Sequence, residues 1–236
     1  GGNLGPVYGK QWVNWGGSTE TTFGPDKDAN GHLIKRTVEH RGINQISNII
    51  DELRVNPDSR RLMVTAWNVA ELKDMALLPC HYGFQFYTRE LSLEERGVNY
   101  ETYYKGLKRN KTNKHFDKIG IPKRELSMKF TMRSNDFLLG NPYNVASYGF
   151  LLEMVAQQVN MVSGELIASL GDTHLYNNHI SYAKEQIVRD SNKYSLPTLS
   201  LTKAKDIFSY TVDDFKINEY NAYPNWVGSN KPPIAV

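Results

Sequence analysis

The stretch Met75-Ala-Leu-Leu-Pro-Cys-His81 runs almost directly into Gly83-Phe-Gln-Phe-Tyr-Thr-Arg-Glu90, where apolar and polar residues alternate. This alternation predicts a β-strand with one buried face. Cys80, the only cysteine of the chain, therefore lies in a loop just before a strand, where a rigid frame can hold a reactive side chain. A lone thiol beside His81 is more typical of a nucleophile than of a structural cysteine.

The flanking sequence predicts a mixture of strands and helices. Apolar residues at helical spacing predict helices, whereas short β-branched or alternating runs predict strands. The predicted strands are 61–67, 83–90, 126–132 and 165–170, and the predicted helices are 43–53, 145–159 and 181–190. Because the two types do not alternate regularly, the sequence favours an α+β fold in which a mixed β-sheet is flanked by helices.

Two segments have the character of insertions within a single domain covering residues 1–236. Residues 16–36 are loop-like, and residues 92–123 carry many charges, acidic at Glu94 and Glu95 and then basic from Lys105 to Lys114. A charge-rich segment of this kind is usually a solvated surface element and less often a partner site. The tail from Pro224 onward predicts a loop.

Composition excludes several classes of protein. A chain of 236 residues with 40% hydrophobic content can bury a core, and a net charge of +3 is too small for bulk nucleic-acid binding. One cysteine excludes an internal disulfide and a cysteine-based zinc site, and no apolar run approaches the roughly 20 residues of a membrane span. We therefore expect a cytoplasmic protein. The opening residues also predict a piece of a longer chain.

The chain closely resembles the thymidylate synthase family, whose motifs occur here in the family's order. The motifs are Leu4-Gly-Pro-Val-Tyr-Gly-Lys-Gln-Trp12, Asn56-Pro-Asp-Ser-Arg-Arg61, Met75-Ala-Leu-Leu-Pro-Cys-His81, Arg133-Ser-Asn-Asp136, Asn144-Val-Ala-Ser-Tyr148, Gly171-Asp-Thr-His-Leu-Tyr176 and Pro233-Ile-Ala-Val236. The resemblance implies a homodimer that packs sheet on sheet. It also implies reductive methylation of dUMP to dTMP, with 5,10-methylenetetrahydrofolate as donor of both carbon and hydride, and no metal.

The resemblance assigns catalytic roles to five residues. C5 of uracil is unreactive until a nucleophile adds at C6, and Cys80 would be that nucleophile. Arg133 would stabilise the thiolate, since a free thiol has a pKa of about 8.5. Tyr8 would assist removal of the C5 proton through water, and His81 would join the water network at O4. Asn144 would read the uracil ring through its amide.

The resemblance also implies a site for dUMP that two subunits share. Arg133 and Ser134 would bind the phosphate from one subunit, while Arg60 and Arg61 would reach across from its partner. His174 and Tyr176, on the predicted turn 171–176, would donate to the ribose hydroxyl. Taken without the resemblance, the adjacent arginines would be a solvated strand start, Asn144 a helix cap, and His174 and Tyr176 surface residues.

The folate is implied to lie against residues near the end of one strand and the start of one helix. Asp136, which is also part of the implied dUMP site, would hydrogen-bond the pterin ring. Leu139, Gly140 and Tyr143 would wall the pocket, and Ala235 would close over it with the C-terminal tail. Without the resemblance these residues would be a turn former, core residues and a frayed terminus.

Two alternative functions stay open at this point. A dUMP or dCMP hydroxymethylase would transfer the same carbon but capture water instead of hydride. A non-catalytic fragment that binds nucleotide, or RNA weakly, has support only from the basic run Lys105 to Lys114. Family members carry an arginine and a glutamate before the Gly-Pro-Val-Tyr-Gly motif that have no counterpart here, so we expect such a segment before Gly1.

Overall fold

The computed structural model describes residues 3–28, 30–103, 112–190, 192–226 and 231–233. The chain divides into two units, Gly1–Gln85 and Phe86–Val236. The elements in chain order are α1 (Tyr8–Asn14), β1 (Ser18–Lys27), β2 (Leu33–His40), α2 (Gln45–Val55), β3 (Met63–Thr65), β4 (His81–Glu90), α3 (Leu93–Tyr103), α4 (Asn113–Lys118), β5 (Arg124–Asp136), α5 (Gly140–Gln158), β6 (Val162–His174), α6 (Ile180–Ile187), β7 (Thr198–Leu201) and β8 (Phe215–Asn218). The boundary between the units falls within β4.

Helix α2 and the strand pair β3–β4 form the core of the first unit. The helix begins where the Asn44 side chain accepts a hydrogen bond from the Ser47 amide at 2.9 Å, and it buries Ile46, Ile49 and Leu53. Strand β3 pairs antiparallel with the start of β4. The predicted helix at 43–53 and the strands at 61–67 and 83–90 are confirmed, although the first strand is shorter than predicted.

Residues 16–36, predicted to be loop-like, instead contain most of a β-hairpin. Strand β1 pairs antiparallel with β2 from Ser18 opposite His40 to Lys27 opposite Leu33. The turn is held by Asp28, whose Oδ1 accepts hydrogen bonds at 2.9 Å from the amides of Asn30 and His32. The prediction gave too much weight to the Gly, Pro and Asp residues of this segment and too little to its threonines, which favour strands.

In the second unit, the long helix α5 packs on the parallel strands β5 and β6. The buried residues Met128, Phe130 and Met132 of β5 form one face of this core, and Phe130 stacks on Tyr148 of α5 with ring centroids 4.4 Å apart. Parallel strands need a long crossover connection, which α5 provides. The strands predicted at 126–132 and 165–170 and the helix predicted at 145–159 are therefore confirmed, each longer than predicted.

The described strands pair both antiparallel and parallel, and helices flank them. This arrangement confirms the α+β prediction. Among the described helices, none has the length and apolar character that would be needed to cross a membrane.

The charged segment 92–123 has a small core around a buried arginine. Arg96, only 3% exposed, donates to Asp117 Oδ1 at 2.7 Å, to Asn113 Oδ1 at 2.7 Å and to the carbonyl of Pro122 at 3.2 Å. Its guanidinium also lies 5.4 Å from the ring centroid of Phe116. The segment is thus more than a solvated surface element. Residues 104–111, which hold most of the basic run, lie outside the described residues.

Replacing Arg96 with alanine should destabilise the protein strongly, because the polar groups of residues 113, 117 and 122 would lose their shared donor. The carbonyls of Ile121 and Pro122 would lose this buried donor, and an unsatisfied buried polar group costs about 1–3 kcal/mol. Arg89, whose side chain is 42% exposed although it pairs with two glutamates, provides the matched control. Urea unfolding should show a much larger loss for Arg96→Ala than for Arg89→Ala, and equal losses would contradict the argument.

Candidate functional site

The thiol of Cys80 lies at the entrance to β4, in the first unit. Its backbone N–H donates to the hydroxyl of Tyr8 at 2.9 Å, and the strand begins at the next residue, His81. The prediction that Cys80 directly precedes a strand is confirmed. Cys80 is partly exposed, whereas Pro79 before it is buried. The backbone around the thiol is therefore fixed on one side by the strand and on the other by α1, which carries Tyr8.

An aromatic stack supports this loop. The rings of Tyr8 and His81 are nearly parallel, 4.0 Å apart at 9°, and Trp12 meets the edge of Phe84 at 5.3 Å. Burial lowers the pKa of His81 to about 4, because the charged imidazolium would lose its hydration. His81 is therefore neutral at pH 7, so it can exchange hydrogen bonds but cannot supply the positive charge that stabilises a thiolate.

A polar network anchors α1 beside the thiol loop. Gln11 is fully buried and donates through Nε2 to Glu71 Oε2 at 2.5 Å and to the carbonyl of Pro6 at 2.7 Å. Lys10 pairs with the other oxygen of Glu71 at 2.6 Å, and Asn68 donates to Glu71 at 2.9 Å. This network was not predicted from the sequence. Its signal was a glutamine at helical spacing from Tyr8, which by itself does not differ from a surface glutamine.

In the second unit, strand pairing collects several of the predicted residues at one sheet edge. In the parallel register of β5 and β6, Ser134 lies opposite Asp172 and Asp136 lies opposite His174. Residues paired in this way project to the same side of the sheet. Asp136 and His174 are therefore neighbours at the carboxyl ends of their strands. Arg133, three residues before Asp136 in β5, is exposed.

Helix α5 adds further predicted residues to this edge. Gly140, its first residue, lies between two side chains: a Cβ atom at this position would be 3.3 Å from Asp136 Cβ and 3.7 Å from Asn144 Nδ2. The amide of Leu139 lies 3.4 Å from Asp136 Oδ1. The structure thus brings Asp136, Leu139, Gly140 and Asn144 together. Tyr143, in the first turn of α5, is 77% exposed.

His174 is the last residue of β6. The turn predicted at 171–176 is therefore wrong for residues 171–174. Strand pairing with β5 continues through Asp172, Thr173 and His174, and this pairing overrides the turn-forming tendency of Gly171 and Asp172. Tyr176 follows just after the strand and meets the edge of the His174 ring at 4.9 Å. The two predicted ribose-binding residues are therefore in direct contact.

The C-terminal segment is fixed by residues at the start of α6. His179 is fully buried, and its Nε2 lies 2.7 Å from the carbonyl oxygen of Pro233. The hydroxyl of Tyr182 donates to the carbonyl of Lys231 at 3.3 Å. Ala235, predicted to close over the folate, lies outside the described residues.

Arg60 and Arg61 follow α2 in an exposed turn of the first unit. Arg61 lines a cleft of about 310 Å³, together with Gln45, Asn48, Ile49, Glu52 and Met63. Within the ranges that the structure describes, neither guanidinium forms a salt bridge. Both are available to an anion from outside the unit. Across the same ranges, no group of His, Cys, Asp and Glu side chains has an arrangement that could hold a metal ion.

The comparisons with known proteins identify the relatives of this chain. A family model described as thymidylate synthase matches residues 1–229. The thymidylate synthase of Buchnera aphidicola subsp. Schizaphis graminum (strain Sg) is 37% identical over 223 residues, which are 94% of this chain and 64% of that relative. The chain therefore spans slightly less than two thirds of the relative's length.

The low pKa of His81 predicts a loss of stability in mild acid. Between its ordinary value of 6.5 and about 4, the unfolded chain binds a proton at this position that the folded protein excludes. The free energy of unfolding should therefore fall as pH is lowered through this range. The variant His81→Phe, which keeps a ring to stack on Tyr8, should lose less stability between pH 7 and pH 5 in urea unfolding. An NMR titration of His81 with a midpoint near 6.5 would contradict the prediction.

Proposed function

The chain belongs to the thymidylate synthase family, and from this premise we propose that it catalyses the reductive methylation of dUMP to dTMP. The observation that carries the proposal is the hydrogen bond from the Cys80 amide to the Tyr8 hydroxyl. It fixes the backbone that carries the lone thiol against the phenol of Tyr8, on which the neutral imidazole of His81 stacks. A thiol, a phenol and an imidazole are groups suited to nucleophilic addition and proton transfer.

Cys80 acts as the nucleophile. Its thiolate adds to C6 of dUMP, the electrons of the C5–C6 double bond move toward O4, and C5 becomes the nucleophilic carbon. When the methylated base is complete, the bond between sulfur and C6 breaks and the thiolate is restored. 5,10-Methylenetetrahydrofolate supplies the one-carbon unit and the hydride. Because His81 is neutral, we assign stabilisation of the thiolate to Arg133, an exposed cation at the end of β5.

Proton transfers are assigned to the stacked pair of the first unit. The hydroxyl of Tyr8 is placed by α1 and accepts the Cys80 N–H, and a phenol can act as a donor as well as an acceptor. Through ordered water it helps to remove the proton from C5. The neutral His81 hydrogen-bonds water near O4, where negative charge develops after the thiolate adds.

Asn144 reads the base. Its amide can donate to O4 and accept from N3–H of uracil, a pattern that cytosine does not present. Its position beside Gly140 and Asp136, at the start of α5, supports this role. An aspartate at this position would suit cytosine, as in the related dCMP hydroxymethylases. The asparagine therefore favours dUMP over dCMP as the substrate.

The phosphate and ribose of dUMP are assigned to groups from two subunits of a homodimer. Arg133 and Ser134 bind the phosphate from one subunit, and the exposed Arg60 and Arg61 bind it from the partner. His174 and Tyr176, which touch edge to face, bind the ribose hydroxyl. This set of four arginine and serine donors suits a dianion.

An exposed sheet face supports the homodimer. In the second unit, Tyr87 of β4 is 69% exposed and Ile167 of β6 is 46% exposed. Ile167 lies opposite Lys129 of β5, on the side away from the buried Met128 and the half-buried Leu166. A sheet face with large apolar side chains in water is typical of a protein interface. We assign this face to sheet-on-sheet packing between two copies.

The folate is assigned to the edge formed by β5 and α5. The carboxylate of Asp136 provides the acceptors that the N–H groups of a pterin require, and Gly140 allows the start of α5 to lie close to that carboxylate. Leu139 and the exposed Tyr143 supply apolar walls, and Ala235 belongs to the tail that closes over the ligand. These residues fit the proposed co-substrate. We place the enzyme in the cytoplasm.

Replacing Cys80 with serine should abolish turnover and leave dUMP binding measurable. Loss of a catalytic nucleophile typically lowers kcat by more than about 10³-fold. The backbone N–H bonded to Tyr8 is unchanged in Cys80→Ser, so the loop should keep its structure and the Kd for dUMP should change less than about tenfold. Calorimetry and dTMP formation test the two quantities. Retention of most of the activity would overturn the assignment of the nucleophile.

Replacing Asn144 with aspartate should exchange the preferred base. A carboxylate cannot donate to O4, so the ratio of kcat/KM for dUMP to that for dCMP should fall by about 10²-fold or more. Asn192→Asp, the same substitution at an exposed position, should leave the ratio unchanged. Mass analysis of the products also separates a methylated base from a hydroxymethylated one, and hydroxymethyl-dUMP from the unmodified enzyme would support the hydroxymethylase instead.

A further inference from the structure

We propose that Glu71 is a positioning residue, whose carboxylate fixes the first turn of α1 and thereby holds the hydroxyl of Tyr8 on the amide of Cys80. The catalytic part of this inference rests on the roles proposed above for Tyr8 and Cys80. The structural part, the dependence of the Tyr8–Cys80 bond on Glu71, does not depend on those roles.

Helix α1 needs an anchor outside itself. It has only seven residues, Tyr8–Asn14, and an isolated helix shorter than about 12 residues is marginal in water. Val7 at its N-cap has an apolar side chain that cannot cap the helix. The position of Tyr8, its first residue, must therefore be set by tertiary contacts of the same turn.

Glu71 provides these contacts through both of its oxygens. Oε1 accepts from Lys10 at 2.6 Å, and Oε2 accepts from Gln11 at 2.5 Å and from Asn68 at 2.9 Å. Burial by itself would raise the pKa of Glu71, but the hydrogen bonds from Gln11, Lys10 and Asn68 outweigh it and the pKa is lowered. The carboxylate is thus charged at neutral pH, and bonds to a charged acceptor are the strong ones.

Gln11 transmits the anchor to the helix because all of its polar side-chain atoms are engaged. It has no exposed surface, and its Oε1 accepts from Asn68 at 3.1 Å while its Nε2 bonds Glu71 and the carbonyl of Pro6. A rotation of this side chain would leave buried polar atoms unpaired, at a cost of about 1–3 kcal/mol each. Gln11 lies three residues after Tyr8, on the same face of the helix.

Three contacts thus connect Glu71 to the backbone of Cys80. Glu71 bonds Gln11, and Gln11 fixes the first turn of α1. This turn places Tyr8 Oη 2.9 Å from the Cys80 nitrogen. Loss of the negative charge at position 71 should loosen the last step, although residue 71 does not touch Tyr8 or Cys80 directly. A residue with a general structural role would lower stability without acting on this hydrogen bond in particular.

Hydrogen exchange at the Cys80 amide tests the connection directly. Because Cys80 is the only cysteine of the chain, selective labelling with ¹⁵N-cysteine gives one amide signal. Tyr8→Phe removes the acceptor, and the exchange rate should rise about tenfold, as expected for loss of one hydrogen bond. Glu71→Gln should cause a similar rise, and the double variant should exchange no faster than Tyr8→Phe alone. If the two substitutions act independently, so that the double variant exchanges faster than Tyr8→Phe by the full effect of Glu71→Gln, the proposal is overturned.

Asp51→Asn is the matched control. Asp51 is also a carboxylate of the first unit that pairs with a cation, Arg54, but its side chain is 74% exposed and lies on α2. Its substitution should leave exchange at Cys80 unchanged. If Glu71→Gln does not fold, Lys10→Met serves instead, because it removes only the bond to Oε1; a rise of about threefold is then expected. An unchanged rate in whichever variant folds would overturn the proposal.

Turnover separates this inference from the proposed function. If both hold, Glu71→Gln should lower kcat by about tenfold with little change in KM for dUMP, and the effect should vanish in a Tyr8→Phe background. If the unmodified protein forms no dTMP, the proposed function fails, yet the exchange experiment still decides whether Glu71 positions Tyr8. Fast exchange in Glu71→Gln with unchanged kcat would reject the catalytic part alone.

Discussion

Backbone pairing between β5 and β6 is the constraint on which the candidate site of the second unit depends. A parallel pair with a fixed register places equivalent residues at the same edge, so Asp136 and His174 meet because their strands end together. A slip of β5 by one residue would turn the side chain of Asp136 to the opposite face and separate it from His174. The core contacts between Phe130 and Tyr148 resist such a slip. The chemistry at the edge is therefore specified by apolar packing in the middle of the strands.

Buried polar groups have a comparable role elsewhere in the chain. Gln11, Arg96 and His179 have almost no exposed surface, and each bonds to a segment distant in sequence. Such groups are costly when unpaired, so each one selects a single arrangement of the segments it joins. In this protein they fix α1, the charged segment 92–123 and the C-terminal segment, which are the parts that lie outside the main apolar cores.

The sequence predicted those features that come from local periodicity and from contiguous motifs. Helix α2, strands β4 and β5 and the long α5 have strong apolar patterns, and the motifs around Cys80 and Asp136 are unbroken runs of residues. The hairpin of β1 and β2 was missed because the Gly, Pro and Asp residues of the segment favour a loop, and its pairing depends on a turn organised by Asp28. The role of Glu71 could not be predicted, since its partner Gln11 is 60 residues away. Arrangements of this kind are visible only after the chain has folded.

The single cysteine also determines how the protein meets oxidants. A thiol oxidised to sulfenic acid is commonly rescued by a second thiol, which condenses with it to form a disulfide that can be reduced. This chain contains no second cysteine, and Cys80 is partly exposed. An oxidised Cys80 therefore depends on small thiols from the surroundings for its recovery. The lifetime of the reduced thiol therefore depends on the redox state of its compartment as well as on the exposure that the fold gives it.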